Sequence, residues 1–265
     1  VALIYVFLGF MNIVYHYGID SAFMRFAGEI EEPTELRKRF STAFWLSVVT
    51  STALSLIIAS LARPISQLIV GSSDSEKLFV YCAGILLLDT IAIVPLAFLR
   101  LMNRAGQFTT IRMLNVLTTL GLSIYFVAVM EMGITGVFLS VLVASTVTAV
   151  GSFLTALPEI RFSFSTIDAK NLMKFGLPFI PAGVASIAME MIDRIILLQL
   201  KGTATVRRYS AGYKLGIFML LITTPFNYAW QLFFLKQCDQ SASKPLFSRL
   251  FTLYSSVAPH FFPVS

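Results

Sequence analysis

The chain has 265 residues, of which 57% are hydrophobic and only 13% charged, with a mean hydropathy of +0.80. Soluble domains carry about a quarter charged residues, so this composition excludes a water-soluble enzyme and points to a polytopic membrane protein. The 20 basic and 14 acidic residues leave a net charge of +6. However, the one basic run is Arg37, Lys38 and Arg39, and no basic patch alternates with aromatics, which argues against nucleic acid as a partner.

In chain order, hydropathy windows predict apolar spans at 1–17, 41–62, 78–99, 113–130, 132–157, 175–200 and 209–235, with a partial span from 250. Each approaches or exceeds the roughly 20 residues that cross a bilayer as a helix. Continuous apolar runs without period-two alternation select helices over a barrel, so the expected fold is an all-α polytopic transmembrane helical bundle. The chain opens without Met inside an apolar run, which is not a signal peptide, and Pro259 and Pro263 interrupt its closing stretch. We therefore expect an internal fragment of a longer protein.

Lys and Arg concentrate in the loops 18–40, 100–112, 158–174 and 236–249, and the positive-inside rule places these in the cytoplasm. Within 20–40, Phe23, Met24, Phe26, Ile30 and Leu36 mix with charges. This reads as a short helix, a turn at Pro33 and a second helix entry, with the apolar residues along the membrane interface. The stretch 164–174 has the same character: Ser165, Thr166 or Asp168 caps a helix whose Ile167, Leu172 and Met173 lie on the bilayer. It links two bundles, dividing the chain into 1–157, 158–174 and 175–265. The longest loop on the other side, 63–77, is too short for an extramembrane catalytic domain.

Ionisable groups at membrane depth are costly and are the default functional pointers. Asp89 lies mid-span before Pro95, either as a hydrogen-bonded structural carboxyl or at a helix kink opening towards a cavity. Glu190, Asp193 and Arg194 share a span, and Glu190 and Arg194 stand four apart in the orientation that favours an ion pair. Lys214 has a stem long enough to snorkel to the outer interface. Asn115, Thr118, Thr119, Ser123, Ser145, Thr146 and Thr148 read as interhelical glue. Asn227 and Gln231, beside Tyr228 and Trp230, suit a sugar-contacting or cavity-lining face.

Cys82 and Cys238 are expected to form no disulfide, and His16 and His260 read as interfacial or packed imidazoles. No metal spacing, cofactor motif, phosphate loop or nucleophile with its base is found, so neither a metal, a cofactor nor an enzymatic activity is expected. A membrane chain with buried charges and no chemistry suggests transport.

Several stretches together resemble the polysaccharide biosynthesis, or O-antigen flippase, branch of the MOP (multidrug, oligosaccharidyl-lipid and polysaccharide) exporter superfamily. They are YGIDSAFMRF with ELRKRFSTAFWLS, LDTIAIVPLAFLRLMNRAGQF, LNVLTTLGLSIYFVAVMEMGITGVFLS, and LMKFGLPFIPAGVASIAMEMIDRIILLQLKGTATVRRYSAGYKLGIFMLLITTPFNYAWQLFFL. The resemblance implies a MATE-like pair of six-helix bundles, of which this chain holds seven or eight of about twelve to fourteen spans. It also implies a bacterial inner-membrane flippase that moves an undecaprenyl-diphosphate-type oligosaccharide between leaflets, in the company of membrane lipids and the polysaccharide polymerase machinery, for lipopolysaccharide O-antigen, capsule or exopolysaccharide.

A diphosphate sugar crosses hydrocarbon only through a hydrated basic cavity. Depth and charge nominate Arg25, Arg194 and Lys214 for that cavity, with Arg100 and Asn103 at its cytoplasmic entrance and Asn227 and Gln231 on its wall. Asp20, Asp89, Glu190 and Asp193 would balance the charge or bind a coupling ion. A multidrug or metabolite exporter of the same superfamily is the alternative, disfavoured by the basic balance. A membrane enzyme acting on the same lipid carrier is disfavoured by the short loops.

Overall fold

The computed structural model describes residues 2–28, 30, 32–71 and 76–189, with the single positions 192, 196, 200, 209 and 252. The chain divides into two compact units, 1–209 and 210–265, and nearly all the described residues lie in the first. Among them there are helices and no strands. Six helical runs are long and apolar enough to cross a membrane, and the chain is a multi-pass membrane protein.

The first span is longer than the sequence suggests. α1 (Ala2–His16) and α2 (Ile19–Gly28) are two parts of one run, Leu3–Gly28. They are interrupted where Tyr17 and Gly18 take positive φ of 30° and 69°. Gly18 is needed there twice over: its φ disfavours L side chains, and a Cβ would sit 2.7 Å from Cγ of Phe179. Phe23 and Met24 are consequently buried inside the bundle at 0% and 2% exposure rather than lying along the membrane interface, and Leu36 is buried too. The expectation fails because helical periodicity marks an apolar face without saying whether lipid or protein covers it.

Pro33 occupies the first turn of α3 (Pro33–Ser60), where its missing N–H costs nothing, and Glu35 complements the helix dipole. After α3, the expected outer loop contains a helix of its own, α4 (Ala62–Val70), closed by Gly71 in the left-handed conformation. α5 (Glu76–Leu101) is the central helix: two thirds of its apolar window is buried. Pro95 lies inside α5 without ending it, although its missing N–H leaves the Ile91 carbonyl without the usual helical donor.

α6 (Ala105–Ile124) ends in a wider turn, Tyr125–Val129, and hairpins into α7 (Gly133–Ala156). In its second half the polar Asn115, Thr118, Thr119 and Ser123 are half-buried while most of the apolar residues around them are exposed. Ser123 and Ser140 hydroxyls meet at 2.7 Å, whereas Leu117 and Ile124 are 61% and 66% exposed. This inversion of the soluble pattern is what a helix in hydrocarbon requires.

A short turn, Leu157–Glu159, leads to α8 (Thr166–Gly176). Of the three proposed caps, Ser165 is the one at the N-cap, its hydroxyl accepting from the Asp168 N–H. Ile167 faces outward as expected, but Leu172 is 1% exposed and packs inside the bundle. Residues 179–189 continue as helix and cross close to α1, since a Cβ on Gly183 would lie 2.7 Å from Cγ2 of Ile13.

Candidate polar cavity in the membrane

A cavity of about 410 Å³ lies between α1, α5, α6 and α7. Each wall is one stripe of a helix: Asn12 and His16 on α1, Asp89, Ala92, Ile93 and Leu96 on α5, Arg112, Asn115 and Thr119 on α6, and Val141, Ser145 and Thr148 on α7. Spacings of three, four and seven residues put these side chains on the same face of their helices. Four spans therefore present polar groups to one space at a depth where hydrocarbon would otherwise surround them.

The polar groups are partly satisfied by one another. The Asn115 amide donates to the Thr148 hydroxyl at 2.8 Å, and Thr148 donates to the Ala144 carbonyl at 3.0 Å. The Ser145 hydroxyl lies beside the Asp89 carboxylate, which also feels the charge of Arg112. His16 feels the charges of both Asp20 and Arg112. Its Nε2 is buried and has no hydrogen-bond partner among the described residues. A buried polar atom without a partner is costly, and here it belongs to a residue lining a polar cavity with room for water or substrate groups.

A ladder of charges runs from the cavity towards the basic end of the bundle. The Arg112 and Arg100 guanidinium carbons each approach the Phe108 ring centroid, at 5.8 and 5.7 Å. Arg100 is paired with Asp20 at 3.7 Å. Asp89, Arg112, Arg100 and Asp20 thus form a row with two acids at the ends and two bases between them. Oppositely charged partners lower the cost of holding each ion out of bulk water.

Among the described residues, Asp89 is the one nominated residue that lines this cavity. Asp20 and Arg100 sit beyond it as an ion pair. Arg25 lies apart, 5.8 Å from the Phe175 ring. Asn103 is exposed in the turn between α5 and α6, where its φ of 55° suits a residue that tolerates the left-handed region. Glu190, Asp193, Arg194, Lys214, Asn227 and Gln231 lie outside the described residues. Sequence reasoning missed Asn12, His16 and Arg112. The sequence places Arg112 at the end of a loop, but α6 begins at Ala105 and carries it two turns along the span. Its spacing to Asn115 and Thr119 was the available signal. No group of three His, Cys, Asp or Glu side chains gathers for a metal among the described residues.

Residues 1–258 match the sequence model of a family described as polysaccharide biosynthesis protein. The chain belongs to this family. No curated protein and no solved structure matches it. Membership agrees with the resemblance read from the sequence and gives this polysaccharide biosynthesis protein a role in the synthesis or export of polysaccharide. Its membrane-buried polar cavity is the feature on which a more specific reading rests.

Proposed function

We propose that this protein is a transporter rather than an enzyme, a flippase that carries a lipid-diphosphate-linked oligosaccharide from the cytoplasmic to the periplasmic leaflet of a bacterial inner membrane by alternating access. The observation that carries the reading is the charged, hydrogen-bonding cavity among four spans of a polysaccharide biosynthesis protein. Sugar hydroxyls and a diphosphate need hydration or its replacement at every depth of the bilayer. A site that is polar while its outer helix faces are apolar meets that need and leaves the prenyl tail in lipid.

Within this reading, Asp89 and Arg112 are the charge-balancing pair of the first bundle, and His16 with its open Nε2 is the group that exchanges partners as the cavity changes access. Asp20 and Arg100 close the ladder at the basic end. Arg25, Arg194, Lys214, Asn227 and Gln231 are proposed for the substrate path. The test uses the intact protein in liposomes, following the leaflet distribution of a fluorescent polyprenyl-diphosphate oligosaccharide and, in parallel, uptake of a lipophilic organic cation. Protein-dependent movement of the glycolipid alone is expected. Movement of the cation alone would contradict the flippase reading and favour an exporter.

A further inference from the structure

The connection after α7 is fastened to α3 along its whole length. Glu159 accepts from Arg37 Nε at 2.6 Å and lies 3.9 Å from Arg104. The Arg161 N–H donates to the Ser41 hydroxyl at 2.8 Å, the Trp45 indole N–H donates to the Arg161 carbonyl at 3.3 Å, and the Ser165 N–H donates to the Thr42 hydroxyl at 3.2 Å. Arg39 reaches Asp168 at 3.4 Å. A segment held by this many side chains presents a defined outer surface rather than a fluctuating loop.

What it presents outward is apolar and cationic together. Phe162, Phe164 and Ile167 are 95%, 52% and 73% exposed. Arg161, Lys170 and Lys174 are exposed beside them. On α8, Ile167, Lys170 and Lys174 stand three and four residues apart, on the face opposite the buried Ala169, Leu172 and Gly176. Both acids of this stretch, Glu159 and Asp168, are turned inward to Arg37, Arg104 and Arg39. The three outward cations have no acidic partner within salt-bridge distance among the described residues.

We propose that this surface rests in the headgroup layer of the membrane and binds anionic phospholipid headgroups, with Arg161, Lys170 and Lys174 as the phosphate-facing cations and Phe162, Phe164 and Ile167 as the wedge into the acyl boundary. Its position argues for lipid. It lies at the end of the bundle where α3 and α6 begin and α5 ends, which is the membrane–water boundary of every one of those spans. Exposed aromatics with snorkelling cations at that level are the composition that partitions there, and each cation adds to the attraction for a negatively charged leaflet. The inward use of the acids leaves that attraction uncancelled.

Trp45 is a reporter built into this surface, its ring 5.5 Å from that of Phe162. The full chain carrying Trp230→Phe, so that Trp45 is the sole tryptophan, is reconstituted in phosphatidylcholine nanodiscs. These contain equal small fractions of either phosphatidylglycerol or phosphatidylcholine nitroxide-labelled near the headgroup. Quenching by the anionic label is expected to exceed that by the zwitterionic one by roughly threefold, to shrink in high salt, and to become equal in Lys170→Gln/Lys174→Gln/Arg161→Gln. The Lys170→Gln/Lys174→Gln double variant changes only exposed positions and should remove most of the difference with helix content unchanged. Equal quenching in the unmodified surface, or a preference that survives the triple variant, overturns the anionic-lipid assignment. Absence of quenching by either label overturns the membrane seating and leaves the surface to a protein partner.

Discussion

The Asn115 amide donates to the Thr148 hydroxyl at 2.8 Å across α6 and α7, and both side chains line the same membrane cavity. One contact therefore both joins two spans and shapes the polar space between them. Interhelical hydrogen bonds of this kind contribute about 0.6 kcal/mol on average and up to roughly 2. Thr148→Val should lower thermal stability in detergent by a comparable amount, as should Asn115→Leu. The double variant should lose less than the sum, because the two residues share one bond.

Close packing around the break in the first span gives a sharper contrast. Gly176→Ala places a methyl 2.5 Å from the Tyr17 carbonyl oxygen, and Gly183→Ala places one 2.7 Å from Ile13 Cγ2. Each should destabilise by about 1–3 kcal/mol through overpacking. Gly121→Ala meets nothing within 4 Å on an exposed helix face and should be neutral or slightly stabilising. Melting temperatures of the three variants in one detergent check the ranking.

The fastening of the connection to α3 is testable by proteolysis. Glu159 holds Arg37 and Arg104 together, and its side chain is 14% exposed. Glu159→Gln weakens both ion pairs at a cost of about 1 kcal/mol or less. Trypsin cleavage after Arg161 should then be a few-fold faster than in the unmodified protein. Arg104→Gln, which removes only the longer 3.9 Å contact, should have a smaller effect.

Much of the spanning pattern was legible because apolar runs and their polar interruptions are one-dimensional signals. Asn115, Ser123 and Thr148 were legible as interhelical contacts because a polar side chain in such a run must find a partner or water, whereas Thr119 and Thr146 instead donate to carbonyls of their own helices. The extension of the first span to Gly28 was not. Asp20 and Arg25 look like the start of a loop until Arg100 is seen to meet Asp20 and Arg39 to donate to the Phe26 carbonyl at 2.7 Å. The membership of His16 and Arg112 in the cavity was also hidden. It depends on how four helices are rotated against one another, which no single helix encodes.

Water access to the cavity can be read with cysteine chemistry in the intact protein, with Cys82→Ala and Cys238→Ser as background. Ser145→Cys and Asn12→Cys line the cavity and should react with a small hydrophilic thiol reagent in liposomes. Leu120→Cys, whose side chain points outward at 57% exposure, should be shielded by lipid and react at least about tenfold more slowly, because the reactive thiolate needs water. Equal reactivity at all three positions would contradict a hydrated cavity bounded by apolar outer faces.

The central claim is that the charged cavity of the first bundle serves translocation. Its most direct test is the rate of glycolipid movement between leaflets in liposomes containing the intact protein, compared with Asp89→Asn and Arg112→Gln. Asp89 lines the cavity with Ser145 and Arg112 and feels the Arg112 charge, and asparagine keeps its shape while removing its charge. The account predicts that each variant inserts with unchanged helix content and flips at least about tenfold more slowly, equivalent to about 1.4 kcal/mol or more in the barrier. Unchanged rates in both variants would contradict it and assign this polar cavity a purely structural role.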